Sequence, residues 1–101
     1  MRYTIPVQFK DGATKAIFDG AASPATRRAL PTQLHEIARR KIDMILSASS
    51  LVDLTKPPGN RLEALRGKRK GQHSIRINDQ YRVCFRWRID GPCDIEIADY
   101  H

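Results

Sequence analysis

The sequence predicts an α+β domain in which N-terminal helices pack on one face of a mainly antiparallel β-sheet built by the second half of the chain. Three observations lead there. Leu34, Ile37, Ala38, Ile42, Ile45 and Leu46 recur at intervals of three and four, the period of an amphipathic helix. After the breaker Pro57-Pro58-Gly59 the apolar period drops to two, in segments 72–77, 81–87 and 94–100. The chain is 101 residues long and 41% hydrophobic, which supplies one core, so residues 1–101 read as a single domain.

In order along the chain, Val7-Gln8-Phe9 reads as a short strand and 13–18 as a short helical segment that stops at Asp19-Gly20. Residues 21–24 read as a loop. Pro31 suits the first position of the next helix, because its missing N–H would be unpaired there anyway. The opposite face of that helix, with Glu36, Arg39, Arg40 and Asp43, is expected to be solvated. Fraying is expected at Ser47-Ala48-Ser49-Ser50, followed by an extra turn at 51–54. Segment 60–65 alternates weakly and is read as a strand, and 67–71 is a basic loop. The remaining strands offer Ile75 and Ile77, then Val83, Phe85 and Trp87, then Ile95 and Ile97 as their apolar sides.

The formal net charge is +7, and it is localised. Between Arg61 and Arg88 lie nine basic residues (Arg61, Arg66, Lys68, Arg69, Lys70, Arg76, Arg82, Arg86, Arg88) against the two acids Glu63 and Asp79, so this segment holds the whole excess. Such a block is the electrostatic footprint of a phosphate-bearing partner. No run of residues is long and apolar enough to cross a membrane, and the N-terminus lacks the apolar stretch of a secretory signal, so a cytoplasmic protein without a membrane partner is expected. Cysteine and histidine spacings suggest no metal, and with no phosphate-cradling glycine motif no cofactor is expected. Cys84 and Cys93 are expected to be free thiols.

Strand register follows from parity, because a slip of one residue moves every apolar side chain to the wrong face. For the turn Asn78-Asp79-Gln80, parity pairs Ile77 with Tyr81, Ile75 with Val83 and Arg76 with Arg82. Two facing arginines repel, and an anion bound between them is the obvious compensation. For the second hairpin, a five-residue loop at 89–93 pairs Trp87 with Ile95, Phe85 with Ile97, Arg88 with Asp94, Arg86 with Glu96 and Arg82 with Tyr100. A two-residue Asp90-Gly91 turn would set Phe85 against Glu96. The outward face is thus expected to gather Arg76, Arg82, Arg86 and Tyr100, with loop 66–70 nearby.

The chain ends Asp99-Tyr100-His101, and an imidazole titrates near neutral pH, which suits it to proton transfer. Together with Leu62-Glu63-Ala64-Leu65-Arg66-Gly67, Ser74-Ile75-Arg76-Ile77-Asn78 and Tyr81-Arg82-Val83-Cys84-Phe85, this ending resembles the HigB-type host-killing toxins of the RelE superfamily. The resemblance covers about residues 9–101. It implies a RelE-like fold and a toxin of a type II toxin–antitoxin module that enters the ribosomal A site and cleaves the mRNA there without a metal. The implied partners are a helix-turn-helix antitoxin, the 70S ribosome with its mRNA, and operator DNA only through the antitoxin complex.

In such a reaction the 2′-hydroxyl attacks the adjacent phosphate and the 5′-oxygen leaves, which calls for a base, an acid and a cation near the nonbridging oxygens. By resemblance, Arg82 takes the cation's part. His101 is the leading acid or base, Tyr100 a stacking or proton-transferring group, and Asp99 an orienting or base-like group. Parity sets Asp99 on the other face from Tyr100 unless the strand end twists or bulges. Some family members carry a histidine where this chain has Glu63, and a carboxylate serves as a base near neutral pH only when desolvated. Arg61, Arg66, Lys68, Arg69, Lys70, Arg76 and Arg86 are the expected RNA contacts. Two other functions remain open: a noncatalytic basic module that binds ribosomal RNA or an antitoxin, and a ribonuclease that needs no ribosome.

Overall fold

The computed structural model describes residues 8–100. Three helices precede four strands: α1 (Gly12–Phe18), α2 (Pro24–Ala29), α3 (His35–Ser47), then β1 (Glu63–Ala64), β2 (His73–Arg76), β3 (Tyr81–Arg88) and β4 (Gly91–Asp99). The strands form one antiparallel sheet in the order β1-β2-β3-β4. The α+β reading therefore holds, with the helices on one face of the sheet.

The helices start where short polar side chains satisfy their first amides. Asp11 accepts from the Thr14 amide at 2.7 Å to cap α1. Ser23 and Thr26 cap each other's backbone at the start of α2, with Pro24 in the first turn. The loop expected at 21–24 holds through Ser23, and at Pro24 a helix opens that the sequence reading did not include, although the Ser-Pro-x-Thr signal was present to be read. A 3-10 turn, Thr32–Leu34, leads into α3, so Pro31 precedes the helical stretch and does not open α3 itself. α3 ends at Ser47 as expected, and the extra turn appears as the 3-10 segment Leu51–Thr55.

Ala38, Ile42 and Ile45 of α3 are fully buried against Ile75, Val83, Phe85 and Ile95, with Ile17, Leu30 and Leu54 closing the core. Each of the Ile, Leu, Val and Phe side chains contributes about 1.5–3 kcal/mol by leaving water. The polar face of α3 is not wholly solvated. Arg39 reaches across to donate to the Ile17 carbonyl at 3.1 Å, tying the C-terminal end of α1 to α3. His35 is buried on the inner face and donates from Nε2 to the Leu30 carbonyl at 2.7 Å.

β2 and β3 pair as parity requires: Ile75 faces Val83, Arg76 faces Arg82, and the Ile77 amide donates to the Tyr81 carbonyl. The β3–β4 hairpin departs from the expectation. Its turn is the two residues Ile89 and Asp90, with Arg88 opposite Gly91, Trp87 opposite Pro92 and Arg86 opposite Cys93. A bulge then sets Asp94 and Ile95 against Phe85, and pairing resumes with Cys84 opposite Glu96, Val83 opposite Ile97 and Arg82 opposite Ala98. The expected partners of Trp87, Phe85, Arg88, Arg86 and Arg82 are therefore all corrected. The physical reason is the extra residue, which resets parity midway and keeps Ile95 and Ile97 on the core side. Asp94 absorbs it with φ at 53°, a left-handed conformation that a short polar side chain tolerates.

At the other end of the sheet, the strand expected at 60–65 shrinks to Glu63–Ala64. A 3-10 turn, Pro58–Asn60, and a left-handed Arg61 (φ 47°) occupy its first residues. The strand expected at 7–9 survives as a bridge from Phe9 to Ile95, while Val7 lies outside the described residues. The β4 edge is further closed by Thr14, whose Oγ1 accepts from the Ile97 amide at 3.1 Å.

Candidate active site

The face of the sheet turned away from the helices carries Ser74 and Arg76 from β2, Arg82, Cys84 and Arg86 from β3, and Glu96 and Ala98 from β4. Parity fixes this set, since their neighbours Ile75, Val83, Phe85, Ile95 and Ile97 belong to the core. Leu65, Cys84 and Ala98 form a small apolar floor on this face, and Tyr100 packs against it. The expected gathering of Arg76, Arg82, Arg86 and Tyr100 on one face is thus present. Its register differs, because Arg82 opposes Ala98 and Tyr100 lies diagonally beyond, its amide donating to the Gln80 carbonyl at 2.5 Å.

Arg82 is the most closely held of these groups. Its side chain is only 12% exposed. Nε donates to Ser74 Oγ at 2.6 Å, and Nη2 donates to the Arg61 carbonyl at 2.5 Å and to the Ser74 carbonyl at 3.3 Å. Glu63 Oε1 stands 3.7 Å from Nε. The facing arginines are reconciled by separate partners, since Arg76 pairs with Asp79 while Arg82 turns to Ser74 and Arg61. Ser74, fully buried, is a site residue that sequence reasoning missed. Its signal was the small polar residue two positions before Arg76, on the outward parity.

The remaining cations divide into two groups. Arg69 donates from Nη1 to Glu96 Oε1 and to Gln72 Oε1, each at 3.0 Å, so part of its charge is spent within the protein. The hydrogen bond to Glu96 raises its pKa above the ordinary value. Arg86 pairs with Asp94 at 3.5 Å, where Glu96 was expected, and its guanidinium passes over Gly71. Gly71 has φ 92°, so the turn calls for glycine, and a Cβ there would also push the end of the Arg86 side chain aside. Arg61, Arg66, Lys68 and Lys70 are exposed along the rim.

Of the candidate acids and bases, Glu63 is 58% exposed and so stays solvated. Asp99 follows the parity of Ile97, opposite Tyr81, and accepts from Gln80 Nε2 at 3.1 Å. It does not share the face of Tyr100. His101 lies outside the described residues. Cys84 and Cys93 are both free, as expected, and burial pushes the Cys84 thiol up despite the nearby Arg69 and Arg82. Among the described residues no group of three or more His, Cys, Asp or Glu side chains is placed to hold a metal ion, and no helix is long and apolar enough to cross a membrane.

A small antiparallel sheet with helices on one side and an arginine-rich, tyrosine-bearing surface on the other is consistent with a RelE-like fold. Residues 7–101 match the family model described as the RelE-like toxin HigB of type II toxin–antitoxin systems. The chain is 36% identical over 95 residues to Toxin HigB-1 of Vibrio cholerae serotype O1, covering 94% of this chain and 96% of that protein. It is also 39% identical over 62 residues to an uncharacterized protein of Haemophilus influenzae, 61% of each chain. The chain belongs to the HigB-like family of type II toxins, whose members act as ribonucleases and whose activity is matched by an antitoxin partner.

Proposed function

We propose that this toxin is a ribosome-dependent mRNA endonuclease of the cytoplasm, cleaving the message in the A site. One observation carries the reading: a guanidinium held by Ser74 and Arg61 on the basic sheet face turned away from the helices, which also presents Tyr100. A cation fixed before the substrate arrives loses nothing to reorganisation when charge develops on the phosphate. The 2′-oxygen attacks phosphorus and gives up its proton to a base, the P–O5′ bond breaks, and an acid protonates the departing 5′-oxygen. The products are a 2′,3′-cyclic phosphate and a 5′-hydroxyl, and no metal is called for.

In this mechanism Arg82 neutralises the nonbridging oxygens. Tyr100 stacks on a base or moves a proton, and His101 is the acid or base, with Asp99 orienting it. Arg61, Arg66, Lys68 and Lys70 track the RNA backbone, joined by Arg69, Arg76 and Arg86 once their carboxylate partners give way. A helix-turn-helix antitoxin holds the toxin in check and brings it to operator DNA. The solvated state of Glu63 weighs against a role as base and suits a place at the rim.

The test is incubation of purified toxin with ribosomes programmed by a defined mRNA, followed by mapping of the ends. Cleavage at the A-site codon leaving 5′-hydroxyl ends is expected, with turnover falling about 100-fold or more in Arg82→Ala. Equal cutting of the same RNA without ribosomes would show a free ribonuclease instead. Binding without cutting would show a noncatalytic module.

A further inference from the structure

Arg61 was singled out for its charge, yet what it gives Arg82 is its main chain. Its carbonyl accepts from Arg82 Nη2 at 2.5 Å, and it does so from a left-handed conformation, φ 47° and ψ 55°. Long unbranched residues seldom take that conformation, and glycine takes it without strain. Strain of this kind persists only where the surroundings impose it.

The surroundings here are the preceding residue. Asn60 is fully buried, and each end of its amide is engaged: Oδ1 accepts from Lys41 Nζ at 2.5 Å, while Nδ2 donates to the Leu54 carbonyl at 3.1 Å and reaches Met44 Sδ at 3.1 Å. Its own N–H donates to the Pro57 carbonyl at 3.0 Å. Asn60 therefore pins the segment to α3 and to the 3-10 turn before it. One residue later the chain must reverse to bring Glu63 opposite Ser74. The reversal falls on Arg61 and aims its carbonyl across the sheet.

We propose that the Arg61 carbonyl, set by the Asn60-anchored left-handed turn, is a positioning element that holds the Arg82 guanidinium in register with the scissile phosphate. Arg61 then acts in two separable ways, its side chain on RNA affinity and its carbonyl on turnover. This rests on Arg82 acting at the phosphate, as proposed above. A Glu63 carboxylate at 3.7 Å supplies charge but is solvated, so it orients Arg82 less firmly than the carbonyl does.

Arg61→Gly and Arg61→Val separate the two roles, because both delete the guanidinium while only glycine suits the left-handed backbone, where a β-branched residue is an outlier. On programmed ribosomes both variants should raise KM by the same factor, and kcat of Arg61→Val should fall tenfold or more below that of Arg61→Gly. By NMR, the Arg82 Nη2 protons, which donate to the Arg61 carbonyl, should stay protected from exchange in Arg61→Gly and lose protection in Arg61→Val. Equal kcat and equal protection in the two folded variants would overturn the proposal. Should Arg61→Val fail to melt cooperatively, the smaller β-branched Arg61→Thr replaces it, with kcat expected at least threefold below Arg61→Gly and equality again overturning the proposal. Wild-type cleavage by Arg82→Ala would instead overturn the mechanism itself, while the exchange measurement would still show whether the carbonyl holds Arg82.

Discussion

The two faces of the sheet solve opposite problems with the same strands. Toward the helices, β3 presents Val83 and Phe85 into a core that excludes water, and their tolerance is set by volume. Away from the helices the same strand presents Arg82, Cys84 and Arg86, where each charge must find a partner before it can be held still. One face contributes cohesion and the other gives direction to a few hydrogen bonds. A change on either face should therefore show which property it serves.

The largest effect is expected from Phe85→Ala, which empties the centre of the core and should cost roughly 3–5 kcal/mol in a urea melt. Activity should fall only as far as the folded fraction does. Arg82→Ala should reverse the ranking: turnover falls by about 2.7–4 kcal/mol of transition-state stabilisation, while the melt shifts far less than for Phe85→Ala. A large loss of stability with unchanged turnover would mean that the arginine face is structural after all.

Glu96→Ala tests whether Arg69 is held in reserve. Losing the partly buried pair should cost about 1 kcal/mol, and the released guanidinium should tighten RNA binding and steepen its dependence on salt. A smaller effect belongs to Cys84. Burial raises its pKa in the folded protein, so the unfolded chain loses its thiol proton first. Stability from this group is complete below the ordinary thiol value of about 8.5 and declines as pH rises through the raised folded value. Cys84→Ala should flatten that alkaline decline, read from melts at successive pH values. At neutral pH a thiol reagent should modify the half-exposed Cys93 before Cys84.

The two hairpins show how much was legible from residues alone. Around Asn78-Asp79-Gln80 the parity of β2 and β3 is unbroken, so placing Ile75 against Val83 also placed Arg76 against Arg82. Around Ile89-Asp90 the same reasoning failed, because the bulge at Asp94 and Ile95 changes parity inside the strand and carries no glycine to announce it. The apolar faces were still right, since burial of Ile95 and Ile97 is what the bulge preserves. That Arg82 and Tyr100 share the outward face was legible from parity. Ser74, the Arg61 carbonyl and the Arg69–Glu96 pair were not, because each depends on which side chains the final register brings within reach.

The Phe9 bridge and the Thr14 hydroxyl also settle how this sheet can grow. The Ile95 amide donates to the Gln8 carbonyl, the Ile95 carbonyl accepts from the Lys10 amide, and Thr14 takes the Ile97 amide, so both outward peptide groups of Ile95 and the Ile97 amide are already occupied. A strand from another molecule that docks there must first displace the toxin's own N-terminal segment. The protein is thus guarded against edge-to-edge aggregation on its longest strand, and a partner seeking to lengthen the sheet is steered toward the two-residue edge at Glu63–Ala64, beside the turn that aims Arg82.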